Sequence, residues 1–101
     1  MVETQVDTSL AKQYLFKLCK HFARKIRVDF DAEHGVAYFD FGELQLAASE
    51  NQLCFRLCAQ EEAQLEILKS VVEHHLQLMT RTPDPALPWR VVNGAPMAIN
   101  N

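Results

Sequence analysis

Hydrophobic and polar residues alternate through the middle of the chain, in the pattern typical of β-strands. The clearest segment has the sequence QLCFRLC over residues 52–58. A period of two places its Leu and Phe side chains on one face of a sheet, and Cys54, Arg56 and Cys58 on the other. Turn residues separate this segment from three similar ones. The predicted strands are Val28–Asp31, Val36–Phe41, Glu43–Ala48 and Gln52–Cys58, with the extended segment Thr4–Val6 as a fifth.

Two longer segments place apolar residues at the spacing of an amphipathic helix. The first begins after possible N-capping residues at positions 7–9 and extends to about Lys25. The second spans about Glu61 to Thr80, and the prolines of segment 83–88 end it. The predicted apolar stripes are Leu10, Tyr14, Leu15, Leu18, Cys19, Phe22 and Ile26 in the first helix, and Leu65, Ile67, Leu68, Val71, Val72, Leu76, Leu78 and Met79 in the second.

The order of these elements predicts the fold class. Strand, helix, four strands and helix give an α+β protein, β-α-β-β-β-β-α, in which two helices cover one face of an antiparallel sheet. The order is similar to that of the repeat in TATA-box-binding-protein-like proteins, but a shared fold does not imply a shared function. We expect one domain over residues 1–92 and a flexible tail over residues 93–101. Segment 89–92 is expected to form a short strand or an apolar lid.

Charge is distributed unevenly along the chain, although the net charge is only −3. Between Thr8 and Val28 the basic residues are Lys12, Lys17, Lys20, Arg24, Lys25 and Arg27, and no residue is acidic. One interpretation is a surface on the first helix for an anion or an acidic partner, with Lys17, Lys20, His21 and Arg24 as candidate contacts. The other is a solvated helix face balanced by acidic strands nearby. The sequence pI of about 5.7 argues against nucleic acid as a partner.

Composition and terminal segments bear on location. No apolar run approaches the roughly 20 residues of a membrane-spanning helix, and the acidic N-terminal segment lacks the apolar core of a signal peptide. Three cysteines do not make a disulfide framework. Cys54 and Cys58 are separated by about 13 Å on one strand, too far to bridge each other. We therefore expect a cytoplasmic protein with reduced cysteines.

The face of the sheet opposite the helices is a second candidate surface. An antiparallel sheet can leave one face in water. We place Tyr38, Asp40, Cys54 and Arg56 there as candidate contacts for a protein partner or a small ligand. Asp29, Asp31, Asp40 and Glu43 are an alternative acid–base cluster on the same face, provided that burial raises one pKa. No serine or cysteine has an identifiable base, so we predict no catalytic residue and no cofactor.

The histidines and Cys19 invite a metal interpretation. Residues two apart on a helix point about 200° from each other, so Cys19 and His21 cannot face one ion. His74 and His75 point about 100° apart, which also disfavours joint binding. A site made by His21, His75 and Cys19 requires the two helices to run side by side. We therefore predict no metal site.

Several segments resemble a bacterial family, domain of unknown function 2218. They are Val6–Thr8, Tyr14–Leu15, Leu18–Phe22 (LCKHF), Val28–Asp31, Leu53–Ala59 and Val71–Leu76. The resemblance covers about Val6 to Trp89. Two features depart from it: Arg24 stands where the family has a second histidine, and the segment after Thr80 is rich in proline. The resemblance implies no established activity, but an association with genes for iron-siderophore uptake.

Together these patterns predict a small cytoplasmic binding or accessory protein, linked through the resemblance to iron-siderophore metabolism. It is expected to use the open sheet face or the basic first helix. The alternative is a metal-handling protein or enzyme centred on His21.

Overall fold

The chain forms an antiparallel sheet covered on one face by two helices. The computed structural model describes residues 1–80 and 89–91. Within them the elements are β1 (Val2–Asp7), α1 (Ala11–Phe22), β2 (Arg27–Phe30), β3 (His34–Phe39), β4 (Gly42–Ala48), β5 (Gln52–Ala59), α2 (Glu62–Thr80) and β6 (Arg90–Val91). The strands are arranged in the order β2-β3-β4-β5-β1-β6. The predicted α+β class is confirmed. Within residues 1–80 and 89–91, neither helix combines the length and the hydropathy that a membrane-spanning helix requires.

The register of β5 confirms the predicted assignment of faces. Leu53, Phe55 and Leu57 are buried beneath the helices. Each is flanked by an apolar residue of β4 and by a residue of β1, so that Phe55 lies between Leu46 and Thr4. Since β5 is flanked by β4 and β1 and covered by helices, its apolar residues form the middle of the core.

Both helices contribute buried stripes to this core. The buried residues are Ala11, Leu15, Leu18, Cys19 and Phe22 in α1, and Leu68, Val72 and Leu76 in α2. Ile67 was predicted to widen the second stripe, and this is wrong, because its side chain is 51% exposed. Ile67 precedes Leu68 by one residue, and a rotation of about 100° turns it away from the sheet.

Both ends of α1 differ from the prediction. The N-cap residue is Leu10 instead of a residue at 7–9, because β1 continues to Asp7 and the Thr8 amide donates to the Asn51 carbonyl at 2.9 Å. The Thr8 hydroxyl instead accepts from the Leu10 amide at 3.0 Å. The helix ends at Phe22, three residues before the predicted Lys25. There the amides of residues 25 and 26 both donate to the Phe22 carbonyl, and this turn leads into β2.

Two turns move the strand boundaries. One carboxylate oxygen of Asp31 accepts from the amides of Glu33 and His34, each at 2.8 Å, so that Asp31 belongs to a turn and not to β2. As a result β3 begins at His34, within the segment predicted as a turn. At its other end Phe39 pairs with Gly42, which leaves Phe41 in a two-residue hairpin loop instead of the predicted strand.

Gly42 lies where the β3–β4 hairpin meets β5 and α2. A Cβ atom at this position would overlap the backbone carbonyl oxygen of Cys58 and come within 3.1 Å of Leu68 Cδ1. The backbone cannot move aside as a side chain does. We therefore expect Gly42→Ala to lower the free energy of unfolding by about 1–3 kcal/mol, measured by urea denaturation.

Gly35→Ala provides the comparison for this prediction. A Cβ atom at Gly35 would lie 2.7 Å from the Cys19 sulfur, which belongs to a side chain. Adding Cys19→Ala should therefore recover part of the stability lost in Gly35→Ala. If Gly42→Ala were as stable as the wild type, the backbone of β5 at Cys58 would have to shift without loss of stability, which would contradict the prediction.

Segment 89–91 closes the far edge of the sheet. Arg90 and Val91 pair with Glu3 and Val2 of β1. Trp89 is half-buried against the core, and its indole Nε1 donates to the Glu73 carboxylate at 2.9 Å. Segment 89–92 was predicted as a short strand or an apolar lid. Among its described residues, Arg90 and Val91 form strand β6, and Trp89 packs against the core. The predicted tail, residues 93–101, lies outside the described residues.

Candidate functional site

The outward side of α1 carries an exposed aromatic ring among cations. We call Phe16, Lys17 and Lys20 the basic face; Arg24, predicted with them, lies beyond the end of α1 at Phe22. Phe16 is 54% exposed, although it packs edge-on against Phe30 of β2 with ring centroids 6.1 Å apart. Lys20, one turn further along, places its ammonium 5.9 Å from the centre of the Phe16 ring. The helix therefore presents apolar and cationic groups side by side.

Within the described part of the chain, no carboxylate forms an ion pair with Lys17 or Lys20 of the basic face. In residues 1–80 and 89–91, α1 forms one ion pair, between Lys12 and Glu33 at 3.5 Å. Arg27, beyond the helix, pairs with Asp29 at 3.1 Å. The interpretation in which acidic strands balance the helix therefore holds for Lys12 but not for Lys17 or Lys20.

Arg56 dominates the opposite, open face of the sheet, but it is not available there. It lies on that face as predicted, and its guanidinium contacts the Glu3 carboxylate of β1 at 2.9 Å. Arg90 of β6 reaches the second carboxylate oxygen of Glu3 at 3.3 Å. Only 7% of the Arg56 side chain is exposed. This residue joins strands to each other, which sequence reasoning could not foresee because Glu3 is 53 residues away in the chain.

The other candidate residues of the open face do not gather around one point. Across the sheet, Tyr38 of β3 lies opposite Glu43 of β4, and Glu43 lies opposite Cys58 of β5. The Arg27 guanidinium lies 5.1 Å from the centre of the Tyr38 ring. Cys54 is four residues from Cys58 along β5, a distance of about 13 Å. The structure therefore separates Tyr38 from Cys54.

The proposed carboxylate cluster is also divided. Asp29 pairs with Arg27 and Asp31 belongs to the β2–β3 turn. Asp40 and Glu43 instead line a pocket of about 550 Å³ between the β3–β4 hairpin and the start of α2. The lining residues are Asp40, Phe41, Gly42, Glu43, Cys58, Ala59, Gln60 and Gln64. Burial first, and then the Glu43 charge, raise the pKa of Cys58, so this thiol is protonated at neutral pH and poorly nucleophilic.

The two helices bring His21 and His75 together. Their ring centroids are 4.7 Å apart, with the planes tilted by 58°. His75 also packs on Phe22, with centroids 5.1 Å apart. Cys19 is fully buried on the other side of α1, and burial raises the pKa of its thiol to about 11. The structure thus forms the histidine pair of the postulated three-residue site and excludes the cysteine.

The pKa of His21 is lowered, chiefly by desolvation and then by the neighbouring His75 and Arg24. His21 is therefore neutral at and above pH 7. In His75 the Nδ1 atom lies 2.7 Å from the Val71 carbonyl oxygen of its own helix. A carbonyl oxygen only accepts, so Nδ1 carries the proton in this contact and Nε2 of the neutral ring has a free lone pair.

The amino-acid sequence matches a known protein family. Residues 3–90 match the family described as "Uncharacterized protein conserved in bacteria (DUF2218)", and the protein therefore belongs to it. This confirms the resemblance seen around the LCKHF segment. No curated protein matches the chain.

A solved structure supports the fold. The chain is similar to the protein in the "NMR structure of PA4090 from Pseudomonas aeruginosa", with 28% sequence identity and a TM-score of 0.77. The alignment covers 88% of this chain and 93% of that one.

Proposed function

We propose that this protein is a small cytoplasmic binding or accessory protein that recruits an acidic protein partner through the basic face of α1. The observation that carries the proposal is the exposed ring of Phe16, with Lys17 and Lys20 beside it. Aromatic side chains are enriched in protein interfaces relative to the rest of the surface, and charged side chains around them favour a partner of opposite charge. Acidic and apolar groups on a partner would complement them.

Electrostatics supports this choice of surface. The chain has a net charge of −3, whereas residues 9–27 contain no acidic residue. A positive patch on a negative protein orients an acidic partner toward the patch during encounter. Such binding is expected to weaken as salt is added, because exposed charges are screened within about 10 Å at 0.1 M ionic strength.

The open sheet face is the less favourable candidate. Its central side chain, Arg56, is held by Glu3 and nearly buried. Tyr38 and Cys54 stand too far apart to act on one small ligand. A partner that bound this face would meet mainly exposed polar groups.

The family resemblance suggests where the partner acts. The resemblance implies an association with iron-siderophore uptake genes, and on that basis we propose a cytoplasmic component of iron-siderophore metabolism as the partner. Under this proposal the protein has no catalytic role of its own and works by recruitment.

The test compares paired variants in quantitative affinity capture from the host, followed by titration of the captured partner. Phe16→Ala with Lys20→Gln is expected to weaken binding by about 10–100-fold, as loss of a central contact does. The matched control is Ile67→Ala with Lys69→Gln, which removes an equally exposed apolar side chain and a lysine from α2. Equal weakening by both pairs, or an unchanged affinity in the first, would contradict the proposed surface.

A further inference from the structure

We infer that His21 and His75 form an open two-histidine site, which binds a divalent transition metal carried by an anionic chelating ligand. The inference does not rest on the proposed partner surface. His21 lies at the edge of α1 that faces α2, whereas Phe16 lies on the side of α1 that faces β2. The two surfaces can therefore be tested separately.

The geometry of the pair suits cis coordination. Imidazole nitrogens bind zinc-like metals at about 2.0–2.1 Å, so two cis nitrogens lie about 3 Å apart. Rings whose centroids are 4.7 Å apart can present nitrogens at that separation. Their planes are tilted by 58° and not stacked, so the lone pairs can converge on one ion.

The second nitrogen of His75 is held as in metal-binding histidines. These histidines commonly donate their other N–H to a carbonyl or a carboxylate, which fixes the ring and its tautomer. The contact from His75 Nδ1 to the Val71 carbonyl at 2.7 Å has this form. His75 also packs on Phe22, which restricts the ring further. Nε2 of His75 is therefore the nitrogen available for a metal.

His21 is the adaptable member of the pair. Its ring is exposed, and within residues 1–80 and 89–91 it makes no hydrogen bond that coordination would have to break. Small rotations of His21 can therefore complete the pair without disturbing the helix.

Among the described residues, two protein ligands meet at this point, His21 and His75. Among the described residues no group of three or more His, Cys, Asp or Glu side chains is placed to hold a metal. Two imidazoles leave most coordination positions of the metal open, so other ligands must fill them. Imidazole ligands favour copper, nickel and zinc over magnesium or calcium.

The surrounding charge indicates the nature of those other ligands. Arg24 and Lys25 lie in the turn after α1, where the Arg24 amide donates to the His21 carbonyl at 3.3 Å, and their charges would repel a bare divalent cation near His21. A metal that arrives with an anionic chelator carries little or no net positive charge. The chelator can then interact favourably with both basic side chains.

The experiment uses copper(II) iminodiacetate, a metal held by a dianionic chelator with open positions. Titration of the full chain at pH 7.5, followed by electron paramagnetic resonance, is expected to give one site with nitrogen couplings from two imidazoles. His21→Ala and His75→Ala should each weaken binding at least tenfold and leave at most one imidazole coupling. The matched controls are His34→Ala, distant on β3, and His74→Ala, adjacent on α2; each should change the affinity less than threefold.

Circular dichroism of each variant separates loss of a ligand from loss of the fold. Full affinity in a folded His21→Ala or His75→Ala variant would overturn the site. So would an affinity lost equally in His34→Ala, or the absence of any two-imidazole signal in the wild type.

Discussion

Phe55→Ala is expected to lower the free energy of unfolding by about 3–5 kcal/mol, which is among the largest effects of a single substitution in a core. Among the residues whose burial is described, Phe55 is the largest fully buried side chain, and it lies on the strand flanked by β4 and β1. Truncation removes most of a ring from a position covered by helices, and the surrounding strands cannot close the cavity. Since small domains are stable by only about 5–15 kcal/mol, the variant should unfold at a much lower urea concentration.

Phe16→Ala is the matched control, because it makes the same chemical change on the exposed face of α1. It should alter stability by less than about 1 kcal/mol, since only the edge contact with Phe30 is lost. The pair of variants separates folding from binding: Phe55→Ala should impair the fold, and Phe16→Ala should impair partner capture alone. A Phe16→Ala protein as unstable as Phe55→Ala would assign Phe16 to the core.

Glu3→Gln is expected to destabilise the protein by about 2–4 kcal/mol. The substitution keeps the shape of the side chain but removes the charge that faces the nearly buried Arg56 guanidinium at 2.9 Å. Breaking a buried ion pair on one side costs roughly 3–5 kcal/mol. The effect should be smaller here because the Glu3 side chain is 24% exposed.

A double variant tests whether the unpaired charge of Arg56 causes the loss of stability in Glu3→Gln. Glu3→Gln combined with Arg56→Met removes both charges, and its stability should return to within about 1 kcal/mol of the wild type. Glu66→Gln, which breaks the exposed pair with Lys69, should change stability by less than about 1 kcal/mol. If the double variant were less stable than Glu3→Gln alone, Arg56 would stabilise the sheet mainly through its packing.

Much of the fold follows from local patterns. Alternation in β5 predicts which side chains are buried, since each residue in a strand faces opposite to its neighbour. The apolar spacing of α2 predicts a helix that the structure confirms to within one residue. The ends of helices and strands were harder to predict where a tertiary contact competes with a local sequence signal. At Asp7, pairing with Gln52 overrides a good capping residue, and at Asp31 two amide hydrogen bonds convert a predicted strand end into a turn.

The candidate sites depended more on tertiary structure. Sequence alone identified the cations of α1, because a run without acidic residues is visible without coordinates. It could not show that Phe16 is exposed, since helical spacing leaves the edge of an apolar stripe undefined. The pocket beside Asp40 was missed because a hairpin loop and the start of a distant helix form it together.

By itself the sequence determined the element types, the buried face of the sheet and the family, because these depend on periodicity and on short motifs. Tertiary structure decided which distant residues meet. The Arg56 guanidinium is held by the carboxylate of Glu3, 53 residues away, and is therefore not available on the open face. His21 contacts His75 only because both helices pack on the same face of one sheet. Such pairs leave no periodic signal in a single chain, since their proximity depends on the crossing of whole elements.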